Sequence, residues 1–258
     1  MAHQQYRLGV DVGGTHTDLV LLNVATGDLM VEKVSSTPKN PALGVLNGVM
    51  RFVARGVKPE EVVVTGIPVA AKFAQPVDAV AVRKAYGLRD DLPTLLVLSG
   101  GFGMGPVAEI LTELDKLPTP LQTLVVAGRN EELRRDLAAQ DRKHPTHVLG
   151  FVRNMHELMT IAGLLITKPG GLTTSEALAL GRPLFILNPI PGQEAANSDF
   201  LLQHGAAEKA NRIEDLPFRL GKLLGSKKLA AMAHAAKELG KPTAARDVCH
   251  AVASRCAR

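Results

Sequence analysis

In the second half of this chain a short apolar run repeatedly empties into a polar or glycine turn and then into a helix, and that recurring order most narrows the folds open to it. The clearest instance is residues 164–183. Leu164, Leu165 and Ile166 read as a strand, Pro169, Gly170 and Gly171 as a turn, and Thr173, Thr174 and Ser175 as the approach to a helical run, with Glu176 one turn in. Glycines let the backbone approach a ligand closely, and the N–H groups at a helix start lack partners within the helix, so this turn suits an anion such as a phosphate. Glu176 suits a pair of vicinal hydroxyls, as on a ribose. An acid in the first helical turn also stabilises the helix dipole without any ligand.

Two more stretches have the same layout. Leu95, Leu96, Val97 and Leu98 form a buried strand that runs into Ser99, Gly100, Gly101, Phe102, Gly103, Met104 and Gly105, with a helix from near Pro106. Strand, glycine turn and helix is the order of a phosphate- or sugar-facing loop in a doubly wound sheet. Downstream, a strand over 184–187 leads into a Pro-Gly turn and then Gln193, Glu194 and Asn197. These side chains suit sugar hydroxyls, although a proline-rich turn also favours polar residues for its own geometry. Strands are expected at 95–98, 123–127, 147–149, 164–166 and 184–187, with the apolar run 161–166 read as buried strand. Helices are expected near 106–116, 130–140, 154–161, 173–180 and 194–203, with a final pair after Glu214. This alternation predicts an α/β fold with a Rossmann-like parallel sheet covered on both faces, its binding loops at the carboxyl ends of the strands.

At these residues the resemblance becomes specific. VVVTGIPV at 62–69, SGGFGMGP at 99–106, GFVRNMHELM at 150–159, ITKPGGLTTSEALALGRP at 166–183 and PIPGQEAANSDFLLQHGAA at 189–207 occur in one order. From about Arg51 to about Leu224 the chain resembles the C-terminal half of a GT-B glycosyltransferase. The likeness is to the monogalactosyldiacylglycerol synthase and processive diacylglycerol glucosyltransferase type, with a glycosyltransferase family 28 C-terminal-like domain. The bacterial cell-wall N-acetylglucosaminyltransferases are more distant. The resemblance implies a UDP-sugar as donor substrate and no cofactor or metal. Gly100, Gly101 and Gly103 and the turn of Pro169, Gly170, Gly171, Thr173 and Thr174 would face the diphosphate. Backbone at Phe151 and Val152 would meet the uracil, Glu176 the ribose, and Gln193 with Glu194 or Asn197 the hexose.

The first fifty residues differ. Residues 7–12 form an apolar strand carrying Asp11, followed by Gly13, Gly14 and Thr15; further strands are expected over 20–24 and 30–34, with a turn at 25–28 between them. This opening resembles the hydantoinase A/oxoprolinase family, whose fold is shared with actin-like ATPases. The resemblance implies a phosphate site at Asp11, Gly13, Gly14 and Thr15, with His16 where an aromatic is expected. Read without the family, Gly13-Gly14 is a hairpin turn. The likeness stops near Val49 or Met50.

The expected organisation is therefore an N-terminal β-hairpin or meander plus helix over 1–50 and a junction over 51–92. A UDP-sugar-binding domain over 93–225 and a helical tail over 226–258 complete it. A full GT-B enzyme carries a further Rossmann-like domain that binds the acceptor and supplies the catalytic base. Here only its last element, around 62–66, is expected to have a counterpart, and no catalytic residue is assigned.

Composition sets outer limits. The chain has 258 residues, 46% of them hydrophobic, enough for one large or two modest cores. No apolar run approaches the roughly 20 residues of a membrane span, and residues 1–5 lack the features of a signal peptide, so a cytoplasmic location is expected. The formal net charge of +5 is spread among acids. Aromatics make up 3% of residues, too few for the stacking platforms of single-strand binding, so no nucleic-acid partner is expected. A mildly basic surface leaves room for peripheral contact with a membrane carrying a lipid acceptor. Cys249 and Cys256 have helical spacing and read as reduced packing residues, His156 as a helix-surface residue, and His144 and His147 as loop residues rather than ligands.

Three readings follow. The first is a UDP-hexose-dependent glycosyltransferase acting on a diacylglycerol-type lipid. The second is a nucleotide-sugar-binding module without catalysis, and the third a hydantoinase-related ATPase fragment.

Overall fold

Short runs that are apolar on both sides, as at 95–98, 164–166 and 184–187, can be covered only by helices on both faces, and helices that return the chain between them make the strands parallel. The computed structural model, which describes residues 6–12, 16–23, 26–35, 41–54, 65–99, 106–187, 189 and 193–256, has this arrangement. The strands β4 (Thr94–Leu98), β5 (Gln122–Val126), β6 (Thr146–Leu149), β7 (Leu164–Thr167), β8 (Leu184–Leu187) and β9 (Ala207–Ala210) pair in the order β6-β5-β4-β7-β8-β9. Every pairing is parallel. Between successive strands lie α3 (Val107–Asp115), α4 (Glu131–Ala138), α5 (Met155–Ile161), α6 (Gly171–Ala179) and α7 (Gln193–Gln203). A helix α2 (Ala79–Ala85) precedes the sheet, and α8 (Leu216–Leu223), α9 (Lys227–Leu239) and α10 (Ala244–Cys256) follow it.

Alternation along the strands divides the interior into two cores. Leu96, Leu124, Leu165 and Ile186 face one side, against Leu158 of α5 and Ala177 of α6. Val97, Val125, Ile166 and Phe185 face the other, against Leu111 of α3 and Leu220 of α8. At one rim, α9 ends so close to α6 that a Cβ on Gly240 would lie 2.2 Å from the Leu178 carbonyl oxygen.

The N-terminal strands β1 (Tyr6–Val12), β2 (His16–Asn23) and β3 (Leu29–Ser35) form a separate antiparallel sheet in that order. Helix α1 (Pro41–Val53) covers one face, with Phe52 buried among Leu19, Leu21 and Val34. Gly48 lets the helix settle there, since a Cβ would fall 2.1 Å from Leu19 Cδ1. Arg51 pairs with the buried Glu32 at 3.3 Å. This unit therefore continues through Phe52, past the boundary expected at residue 50. The strand remnant expected near 62–66 falls largely at 62–64, outside the described residues.

Several local expectations are corrected. The run 161–166 is not one strand: Ile161 closes α5 and β7 begins at Leu164, a distinction that an apolar run alone does not carry. Strand β9 was not anticipated, because Ala-Glu-Lys-Ala has little strand propensity and is ordered by pairing with β8. Cys249 is exposed rather than packed. His147 lies in β6, and His144 just before it is buried. His156 is half-buried, its ring edge-on to Phe73 with centroids 6.0 Å apart, rather than on the helix surface.

Candidate functional site

The strand order reverses between β4 and β7, so the loops leaving these neighbours diverge and open a crevice at their carboxyl ends. Two cavities of about 140 Å³ each lie there, and both are lined by Leu98 and Thr173. They form the two ends of one groove.

The first cavity is lined by Ser99 after β4, Pro106 before α3, Thr167 and Lys168 after β7, Gly170 and Thr173 at the start of α6, and Glu194 of α7. Helix α6 starts at Gly171, two residues earlier than the hydroxyl run suggests, and Gly170 is its N-cap with no side-chain cap. The Thr174 N–H already bonds to the Gly170 carbonyl at 2.9 Å. That leaves the amides of Gly171, Leu172 and Thr173 without an intrahelical acceptor, at the positive end of the helix dipole. Pro169, just before this start, is buried, and its carbonyl accepts a hydrogen bond from Asn197 Nδ2 at 2.8 Å. Lys168 has no ion pair among the described residues. Sequence reasoning passed over it, although a cation beside a glycine turn is a signal for an anionic ligand.

The second cavity is mostly apolar, with Val126, Gly128, Phe151, Val152, Met155 and Met159 around it and Glu176 at its edge. Phe151 is exposed, and the Arg129 guanidinium lies 5.3 Å from its ring centroid. Arg129 is a second residue that sequence reasoning missed. Because α6 begins at Gly171, Glu176 falls beyond the first turn, which carries no acid. The reading of Glu176 as a dipole-stabilising acid of the first turn is thereby removed. Burial raises its carboxyl above the usual carboxylate range, and the positive charge of Lys72 only partly opposes that.

Phe151, Val152, Pro169, Gly170, Gly171, Thr173, Glu176, Glu194 and Asn197 thus gather around one crevice. Thr174 lines neither cavity, and its hydroxyl is buried. Gln193 opens α7, but its side chain lies outside the described residues, as do Gly100, Gly101 and Gly103 entirely. At the N-terminus Asp11 stands opposite Asp18 in the β1–β2 register. Gly13, Gly14 and Thr15 lie outside the described residues. Among the described residues no group of three or more His, Cys, Asp or Glu is placed to hold a metal ion.

Comparison with known proteins points to the same crevice-bearing domain. Residues 81–239 match the family model for glycosyl transferases group 1, and residues 7–85 match that of the hydantoinase/oxoprolinase N-terminal region. The chain is 36% identical over 192 residues to a processive diacylglycerol beta-glucosyltransferase of Bacillus pumilus (strain SAFR-032), covering 73% of this chain and 50% of that relative. It spans about half the length of the relatives it matches. Among solved structures, MurG of Acinetobacter baumannii is similar with a TM-score of 0.58 at 23% identity, over 70% of this chain and 55% of that one. Anabaena HepE in complex with UDP-glucose gives 0.55 at 16% identity, over 81% of this chain and 62% of that one. At these identities the likeness shows the fold, a parallel α/β sheet of the GT-B type.

Proposed function

The chain belongs to the glycosyl transferases group 1 family, and on that premise we propose that it binds a UDP-sugar in the crevice beyond β4 and β7 and transfers the hexosyl group to an acceptor hydroxyl. The acceptor in this reading is a diacylglycerol-type lipid. The observation that carries it is the groove itself, with the uncapped start of α6 at one end and the half-buried Glu176 at the other, joined through Thr173.

Each part of a UDP-sugar has a chemical match. The diphosphate lies against the amides of Gly171, Leu172 and Thr173 and near Lys168, where the helix dipole and the ammonium stabilise the negative charge that grows as the sugar leaves. The uracil fills the apolar cavity beside Phe151 and Val152, and the ribose hydroxyls donate to Glu176. The hexose extends toward Glu194 and Gln193. Asn197 is the further candidate for the hexose, and its Nδ2 also supports the turn by donating to the Pro169 carbonyl. No metal is needed in this account. Helix amides and Lys168 meet the diphosphate, so chelator-treated protein is expected to bind UDP unchanged.

The substrate class is supported by the Bacillus pumilus relative, named as a diacylglycerol glucosyltransferase, and by HepE, which holds UDP-glucose. Among the described residues no helix is long and apolar enough to cross a membrane. The proposed setting is the cytoplasmic face of a membrane, reached by peripheral contact. The test is transfer of labelled hexose from UDP-glucose or UDP-galactose into vesicles containing diacylglycerol. Transfer lost on Glu176→Ala supports the reading. Background transfer by a chain that still binds UDP replaces it with a nucleotide-sugar-binding module.

A further inference from the structure

Helix α8 buries Leu216, Leu220 and Leu223 in the core on one side of the sheet. Phe218 and Lys222, four residues apart, share its outward face. Phe218 is 67% exposed, and the Lys222 ammonium stands 3.9 Å from its ring centroid. A single exposed phenylalanine is ordinary. The surroundings of this one are not.

Phe218, Arg219, Lys222, Leu223 and Lys228 line one recess of about 290 Å³, together with Glu208 of β9. Glu208 is the acid of the recess, and it takes Arg219, at 3.1 Å, and Lys228. Lys222 and Lys227, which adjoins Lys228, have no ion pair among the described residues. Four cations against one carboxylate leave a net charge of +3 around the ring, out of a formal +5 for the whole chain. The flanking charges, Lys209 and Arg212 against Glu214 and Asp215, cancel. Lys227 and Lys228 also open α9, whose first turn carries no acid, so their charge adds to the positive end of the helix dipole. That placement costs helix stability, and a negatively charged partner removes the cost.

We propose that this surface of α8 and the start of α9 docks on a membrane containing anionic lipid. The Phe218 ring sits at the boundary of headgroups and acyl chains, and Arg219, Lys222, Lys227 and Lys228 lie among the phosphates. A ring flanked by long cationic side chains matches both layers of such an interface. The ring leaves water for the acyl edge, while the lysine stems reach back to the headgroups. An acidic protein answers the charge, but it must also present an apolar pocket for the ring. A bilayer presents both everywhere. The inference rests on the reading that places the chain at a membrane, and it names the surface that makes the contact.

Co-sedimentation with vesicles of phosphatidylcholine alone, and of phosphatidylcholine with phosphatidylglycerol, tests it on the native chain and three variants. The native chain binds the phosphatidylglycerol vesicles, and raised salt releases it. Lys222→Gln combined with Lys227→Gln weakens that binding about tenfold or more, and Phe218→Ser about fivefold. Arg134→Gln combined with Arg135→Gln removes the same charge from α4, which packs on β6 at the opposite edge of the sheet from β9. That control stays within about twofold of native. Equal losses in the two charge variants, or binding indifferent to Phe218, overturn the proposal. So does a native chain that ignores both kinds of vesicle, even if an acidic protein binds it instead. Native UDP affinity in the variants shows that they are folded and that their losses belong to this surface. A native chain that binds the vesicles but not UDP overturns the donor-site reading and leaves this one standing.

Discussion

Asn197 Nδ2 donates to the Pro169 carbonyl at 2.8 Å, joining α7 to the turn from which α6 starts. The bond ties α7 to the residue that precedes the N-cap of α6, and so supports the helix start beside the groove. Asn197→Ala is expected to remove about 1 kcal/mol of support and to weaken UDP binding several-fold, with the far-UV spectrum unchanged. Titration of UDP checks this, and native affinity in the variant would show that the turn holds its shape without α7.

Glu176 links function to stability. Its folded-state carboxyl lies above the ordinary carboxylate range because of burial, with Lys72 opposing. The folded chain therefore binds more protons than the unfolded one in the window between the two values, and stability falls as pH rises through that window. The cost is fully present above the folded value and absent below the unfolded one. Glu176→Gln should melt above the native chain near neutral pH, and the difference should close as pH falls to about 4. The same variant should bind UDP more weakly at neutral pH. Melting curves at both pH values decide it, and a variant less stable at neutral pH would contradict the burial account.

Gly240 tests the packing behind the site. A Cβ there would meet the Leu178 carbonyl oxygen at 2.2 Å and its carbon at 2.8 Å. Both are backbone atoms that cannot turn aside, so α9 and α6 must separate. Gly240→Ala is expected to cost about 1–3 kcal/mol, measured by urea unfolding. A loss below about 0.5 kcal/mol would mean that the rim relaxes freely.

The sheet was legible because its inner strands are apolar on both faces and are followed by turn residues, as in Leu95 to Leu98 with Ser99. Boundaries at the site were less so. Gly170 and Gly171 read as turn, and the hydroxyls of Thr173, Thr174 and Ser175 read as helix approach, whereas Gly170 caps α6 and Thr174 points into the interior. Strand β9 carries no apolar run of its own, and its order comes from pairing with β8. Arg129 was missed for a different reason. A lone cation carries no local pattern, and only the fold brings Arg129 to the Phe151 ring.

Titration calorimetry with UDP, on the native chain and Glu176→Ala in the presence of a chelator, tests the central claim most directly. The account predicts saturable binding by the native chain that weakens by at least about tenfold in the variant, as expected when a half-buried charged acceptor is lost. A folded native chain with no saturable UDP binding, or binding indifferent to Glu176, would contradict it.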